Sequence, residues 1–458
     1  MKKRTLDPDA TLAPTYAARA FIDGIPKFRL PDTGLEAQAA YQLVHDDLAL
    51  DGNPVLNLAS FVTTWMEPQA DQLGVETQSK NLIDQDEYPQ TEAIHRRVVS
   101  MIGDLFHAPT SGQAVGTATI GSSEAIMLGM LAHKRSWQHR RETAGESTER
   151  PNMVMGGDVH TCWEKFARYF EVEPRVIPME EGRYTVAAEQ VEPHVDERTI
   201  GVSGVLGTTF TGDMDDLRSI NDMLARLESD RGLRIPLHVD AATGGFILPF
   251  SQPQEAWDFR LSHVRSINVS NHKFGLVYPG MGTLVFRDSS DLPEELVFHI
   301  NYLGGDMPNY SLNFSRASDA VVQQYFNFLR LGRAGYERII GSALANAQAL
   351  AHELARIDCL ELINDGSRFP IVVVRTLDPA AVDLTQVSHM LRERGWIVPA
   401  YTLPANAEHI TVMRMVVKEN FSRDMVDMLA EDITKAIHAL QQGLTSTRPQ
   451  RPRRRPHC

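Results

Sequence analysis

Leu237-His238-Val239-Asp240-Ala241-Ala242, and further on Ser266-Ile267-Asn268-Val269-Ser270-Asn271-His272-Lys273-Phe274-Gly275, decide the fold. Each is a short apolar run that closes on a charged residue, Asp240 in one and Lys273 in the other. Similar runs occur at Met153-Val154-Met155, Ile200 to Leu206 and Thr283-Leu284-Val285-Phe286. They alternate with helical stretches from about residue 56 to 340. Such alternation requires crossover connections, and it predicts a mostly parallel sheet flanked by helices, an α/β fold. Ligands of these sheets bind beyond the carboxyl ends of the strands, where Asp240 and Lys273 both fall.

Outward from this core the pattern changes on both sides. Residues 1–55 read as an N-terminal arm, broken by Pro8, Pro14, Pro26 and Pro31 before one helix from Leu35 to Leu48. The large domain takes 56–340. A small α+β domain, 341–442, is introduced by a helix from Ile339 to Ile357. It carries the apolar runs Phe369–Val374, Trp396–Pro399 and Ile410–Val417, with helices at Leu384–Arg394 and from Ser422 to about Leu440. The tail, 443–458, is rich in Pro and Arg and predicts a flexible segment.

Bulk properties exclude several classes. The chain has 458 residues, enough for two or three domains. With 45 Lys and Arg against 59 Asp and Glu, the formal charge of −14 argues against nucleic acid as a partner. No apolar run approaches a membrane span, and no secretory signal follows Met1-Lys2-Lys3-Arg4, so no stable membrane anchoring is expected. The three cysteines, Cys162, Cys359 and Cys458, are far apart, which suits a reducing cytoplasm and gives no metal cluster.

The chemistry lies in four places. A buried lysine has a lowered pKa and forms a Schiff base with an aldehyde, and a buried aspartate holds a protonated pyridine nitrogen. Lys273 and Asp240 together therefore point to pyridoxal phosphate (PLP). A solvated lysine and a turn aspartate are the plain alternatives. Ser122 and Ser123, after Gly121 at the start of an amphipathic helix, read either as a phosphate cradle or as an ordinary cap. His160, after the Met153–Met155 run, either stacks on a planar ring or is a core histidine. What distinguishes the set is that all four stand in turn near the ends of strands.

Longer stretches then resemble a known family. Ser270-Asn271-His272-Lys273-Phe274 is similar to the lysine motif of group II PLP-dependent amino-acid decarboxylases of fold type I. Asn57-Leu58-Ala59-Ser60-Phe61, Asp86-Glu87-Tyr88-Pro89-Gln90, Thr119 to Ala125, Asp240 to Phe246, Tyr302-Leu303-Gly304-Gly305 and Asn313-Phe314-Ser315-Arg316 narrow this to glutamate decarboxylases of bacterial type. The resemblance implies a seven-stranded, mostly parallel sheet and PLP on Lys273. It implies that Asp240 pairs with the ring nitrogen and His160 lies over the ring. Ser122, Ser123, Thr209 and His272 would contact the cofactor, and Ser315 the phosphate of a neighbouring subunit. Ser60, Asn81 and Arg414 would bind substrate, with Arg414 on its α-carboxylate. The implied reaction converts L-glutamate to 4-aminobutanoate and CO2, consuming one proton, and in bacterial relatives it serves acid resistance.

Asp84, Asp86 and Glu87 form an acidic cluster that reads as a pH-responsive group or as a solvated loop. His457, next to the last residue, stands where bacterial relatives carry a histidine that plugs the site, although the arginines and prolines around it depart from that pattern. The tail lacks the tryptophan-anchored helix of a calmodulin target, so calmodulin is not expected as a partner. The family implies a homodimer at least, with a hexamer reached through the arm. The alternatives are a PLP-dependent decarboxylase of aspartate or of an aromatic amino acid, and an inactive PLP-binding scaffold.

Overall fold

The computed structural model describes residues 27–109, 112–301 and 307–445. Two compact units divide the chain, one ending at Leu56 and the other starting at Asn57. In the first, the helix Ala37–Leu48 begins two residues after the expected Leu35 and buries none of its side chains. Tyr41, Val44 and Leu48, spaced to share one face, are all exposed.

The second unit is built on a seven-stranded sheet. Its strands are β1 (Val115–Thr119), β2 (Asn152–Gly156), β3 (Glu173–Ile177), β4 (Thr199–Val205), β5 (Leu237–Asp240), β6 (Val264–Val269) and β7 (Gly282–Phe286). They lie in the order β1-β7-β6-β5-β4-β2-β3. The pairings from β3 through β2, β4 and β5 to β6 are parallel, as the alternation of runs and helices predicts. β2, β4, β5 and β7 are buried at every position, as continuous apolar strands in a covered sheet must be. β7 departs from the parallel pattern and runs antiparallel to both β6 and β1. The segment between β6 and β7 contains no helix, so no crossover returns the chain to the other end of the sheet.

After a two-stranded ladder of β8 (Phe298–Ile300) and β9 (Met307–Asn309) comes the long helix Asp319–Leu354. The helix expected from Ile339 is its second part. Gly332, with φ 55°, interrupts the regular turn and reads in sequence as a boundary. An antiparallel sheet of β10 (Leu360–Asp365), β11 (Ile371–Thr376), β12 (Ala400–Thr402) and β13 (Thr411–Val416) follows, in the order β10-β11-β13-β12. The run Trp396–Pro399 is not a strand. Only Ile397 bridges, to Asn57, and Pro399 has no N–H to give a ladder. The helices Leu384–Glu393 and Arg423–Gln441 match their expected spans within a residue or two. No helix among the described residues is long and apolar enough to cross a membrane.

Candidate active site

The helix Ser122–Thr143 starts directly after β1, with Gly121 as its N-cap and no side chain capping the first turn. Its amide groups therefore face outward, and the helix dipole adds positive potential there. Ser122 is not the cap residue. Its Oγ lies 2.7 Å from the Ser270 Oγ beyond β6, which ties the helix start to the Lys273 loop. A Cβ on Gly121 would stand 3.3 Å from the His272 Cε1, so glycine keeps this corner open. His272 Nδ1 is buried without a protein partner among the described residues, and burial lowers the ring's pKa to about 4.

These residues line a cavity of about 380 Å3, a size suited to a small-molecule ligand. Ser122, Ser123, His160, Thr209, Asp240, His272 and Lys273, all singled out in the sequence, share its wall. His160 is exposed at this wall and is not a core histidine. It caps the helix Thr161–Tyr169, its Nδ1 accepting from the Cys162 amide at 3.3 Å.

Asp240 ends β5 and is buried. Its Oδ2 accepts from Trp163 Nε1 at 3.0 Å, and its Oδ1 accepts from Asn268 Nδ2 at 2.8 Å and from the Ala242 amide at 3.2 Å. Lys273 Nζ donates to Thr243 Oγ1 at 3.3 Å and lies 4.8 Å from the centre of the Phe61 ring. Burial lowers its pKa to about 8, against the pull of Asp240, so a useful fraction of the amine is neutral near physiological pH.

Arg414, on β13, approaches the same aromatic ring at 4.7 Å. It donates through Nη1 to the Thr209 carbonyl and through Nη2 to the Ala59 carbonyl at 2.6 Å, and it also faces the Tyr401 ring at 5.6 Å. Arg414 Nε is buried without a protein partner among the described residues, a charged donor ready for an anion. Ser60 lies between Ala59 and Phe61, and its Oγ accepts from the Val62 amide at 3.1 Å.

Arg414 and Ser60 stand beside Phe61 without lining the cavity, and the remaining candidates do not meet it within the chain either. Asn81 Nδ2 lies 3.4 Å from Ser315 Oγ, and the Asn81 side chain also holds Asp84 and the Arg316 amide. Neither Asn81 nor Ser315 lines the Lys273 cavity, and neither do Asp84, Asp86 or Glu87. His457 and the Tyr302–Gly305 stretch lie outside the described residues.

Some wall residues were not singled out in the sequence. Thr243, in the wall, and Phe61 and Trp163, outside it, each touch Lys273 or Asp240, and only chain folding brings them there. Asp158 also lines the cavity. Both its carboxylate oxygens are buried and without partners among the described residues, and burial with the nearby Asp215 raises its pKa. The aspartate two residues before His160 was visible in the sequence, but nothing there showed that it is buried.

The arrangement fits a phosphorylated pyridine aldehyde. It offers a lysine amine for the aldehyde, a carboxylate for the ring nitrogen, and an uncapped helix start beside an orphaned histidine nitrogen for the phosphate. Comparison with known proteins agrees. Residues 32–376 match the pyridoxal-dependent decarboxylase conserved domain. The chain is 46% identical to a glutamate decarboxylase of Petunia hybrida over 96% of its own length and 88% of that protein. It is 43% identical to a glutamate decarboxylase beta of Listeria innocua, covering 95% of both chains. The solved structure of a Lactobacillus brevis glutamate decarboxylase superposes with a TM-score of 0.90 at 41% identity, covering 94% of this chain and 98% of that one. This chain belongs to the pyridoxal-dependent decarboxylase family.

Proposed function

We propose that the protein is a PLP-dependent glutamate decarboxylase that converts L-glutamate to 4-aminobutanoate and CO2. The observation that carries this reading is the meeting of Lys273 and Arg414 at the Phe61 ring, with Asp240 in the wall of the same cavity as Lys273. PLP supplies an electrophilic carbon for the substrate amine and an electron sink for the pair left behind when CO2 departs. With PLP bound, Lys273 Nζ would hold the cofactor through its aldehyde and would serve as the proton donor to the substrate α-carbon. Asp240, fixed by Trp163 and Asn268, would pair with the ring nitrogen and favour its protonated form. Ser122, Ser123 and His272 would hold the phosphate at the helix start, and Thr209 and His160, in the same wall, would contact the cofactor, His160 over its ring. Arg414 takes a substrate carboxylate through its orphaned Nε and fixes which bond of the α-carbon is exposed to breakage.

Ser60 and Asn81 are assigned to the substrate's second carboxylate, and Ser315 to the phosphate of a second copy. The Asn81–Ser315 pair, set apart from the chain's own cavity, supports a site completed across a homodimer. The exposed Tyr41, Val44 and Leu48 face supports the arm as the contact for larger assembly. The working divisions are the arm 1–55, large domain 56–340, small domain 341–442 and tail 443–458, and the separate seven-stranded and four-stranded sheets support the division at 340.

We also place the chain with the bacterial-type enzymes, in the cytoplasm, where proton uptake serves acid resistance through Asp84, Asp86, Glu87 and His457. The plant relative stands slightly higher in identity, so the branch is tested by regulation: calcium and calmodulin should leave the activity unchanged, and deletion of 443–458 should raise activity at neutral pH. The central test is release of CO2 from L-glutamate by purified protein. Release from aspartate or an aromatic amino acid instead would move the substrate assignment, and none from any amino acid would leave a scaffold.

A further inference from the structure

Behind Asp240 the sheet contains a line of buried polar side chains that the reaction does not itself use. Asn268, on β6, donates its amide to Asp240 Oδ1 at 2.8 Å. Asn268 Oδ1 lies 2.7 Å from His238 Nε2, and His238 Nδ1 lies 2.6 Å from Ser266 Oγ. Ser266 Oγ in turn lies 2.7 Å from His133 Nε2, on the helix Ser122–Thr143. Asn268, His238 and Ser266 are fully buried and His133 is nearly so.

The donors and acceptors along this line can be assigned in only one sense. A carboxylate only accepts, so the Asn268 NH2 faces Asp240 and its carbonyl faces His238. His238 Nε2 must then carry the proton. Burial lowers the His238 pKa to about 4 and holds His133 well below the ordinary value, so both rings are neutral. A neutral ring with a proton on Nε2 has a bare Nδ1, which accepts from the Ser266 hydroxyl. That hydroxyl's oxygen accepts from His133 Nε2–H. Every hydrogen bond therefore points towards Asp240, and aligned chains of this kind polarise one another.

Packing holds the rings in these places. Trp163, which donates to the other oxygen of Asp240, meets the His238 ring edge-on at 5.4 Å between centroids. On the helix side, a Cβ on Gly129 would stand 2.9 Å from the His238 Cε1, so a larger residue would push the ring off its partners. His133 also lines a second hollow, with Arg140, Glu228, His263 and Arg265, that shares no residue with the Lys273 cavity.

We propose that His133, Ser266, His238 and Asn268 form a one-way hydrogen-bond relay that fixes the Asp240 carboxylate against the cofactor's ring nitrogen. They are positioning residues, and the proposal rests on the reading that Asp240 faces that nitrogen. The relay makes the ring nitrogen's protonation depend on a serine and a histidine that touch neither substrate nor cofactor.

The test uses holoenzyme reconstituted with PLP carrying an isotope-labelled ring nitrogen, read by NMR, together with cofactor affinity by equilibrium dialysis. Ser266→Ala removes two buried hydrogen bonds and should weaken PLP binding about tenfold or more, and move the nitrogen resonance towards the unprotonated position. Ser266→Thr, which keeps the hydroxyl, should restore both. Gly129→Ala, which displaces His238 from the helix side, should shift the resonance in the same direction as Ser266→Ala. Asp240→Asn separates the two claims. If it moves the resonance while Ser266→Ala and Gly129→Ala lower only the melting temperature, the relay is overturned and the Asp240 reading stands. If Asp240→Asn leaves the resonance in place, the reading of Asp240 itself fails.

Discussion

Replacing Lys273 by methionine should stabilise the cofactor-free protein. The lysine's pKa falls from an ordinary 10.5 to about 8, because burial penalises its charge more than Asp240 rewards it. A base whose folded-state pKa is depressed costs stability below that value. The cost disappears as pH rises towards the unfolded-state value. The difference of roughly 2.5 units corresponds to about 3 kcal/mol at pH 7. Methionine fills similar space without the charge, and the lost contact to Thr243 Oγ1, at 3.3 Å, offsets about 1 kcal/mol at most. The net gain is about 2 kcal/mol. With an unfolding entropy of about 2 cal/mol/K per residue, a chain of this length should melt roughly 2 °C higher. The assay is thermal unfolding of cofactor-free wild type and Lys273→Met by circular dichroism at pH 7 and at pH 10.5. The gain should be present at pH 7 and gone at pH 10.5. An equal gain at both values, or a loss at pH 7, would refute the claim that the site holds its lysine against an electrostatic cost.

Other expectations follow from the same geometry. Arg414→Lys keeps a charge but loses the fork to the Thr209 and Ala59 carbonyls and the free Nε. Steady-state kinetics should show kcat/KM for glutamate down about a hundredfold, with cofactor affinity within about twofold of wild type. Trp163→Phe removes one donor from Asp240 while keeping the ring beside His238. It should lower kcat about tenfold or more, measured at saturating glutamate and cofactor. Mixing Lys273→Ala chains with Asn81→Ala chains should recover about a quarter of wild-type activity after subunit exchange, because half the dimers then carry one intact site. No recovery would place Asn81 in its own chain's site.

Much of the site was legible because strand ends are punctuated in sequence. Asp240 and Lys273 close apolar runs, and Gly121-Ser122-Ser123 opens an amphipathic helix, so each announces its place locally. Strand direction is not local. The Thr283–Phe286 run looks like its neighbours, and only the missing helix before it makes β7 antiparallel. The helix expected from Ile339 is preceded by another from Asp319, the two meeting at Gly332, whose non-helical backbone kinks the chain between them. The meeting of Phe61, Lys273 and Arg414 joins segments far apart in the chain, and periodicity carries no record of such contacts. For the same reason His238 and Asn268 read only as strand residues, although their polar side chains inside apolar strands were the visible sign of buried partners. Asn81 and Ser315 were linked to the site by resemblance, and the single chain brings them to each other and not to Lys273.

The central claim is that the carboxylate bond of the substrate α-carbon is the one that breaks. Incubating the holoenzyme with L-glutamate in heavy water and examining the mixture by NMR tests it directly. The account predicts 4-aminobutanoate with a single deuteron on the carbon that lost CO2, and no such product from Lys273→Ala. Recovery of intact glutamate deuterated at its α-carbon, with no CO2 released, would show that the covalent C–H bond at that carbon breaks instead and would contradict the account.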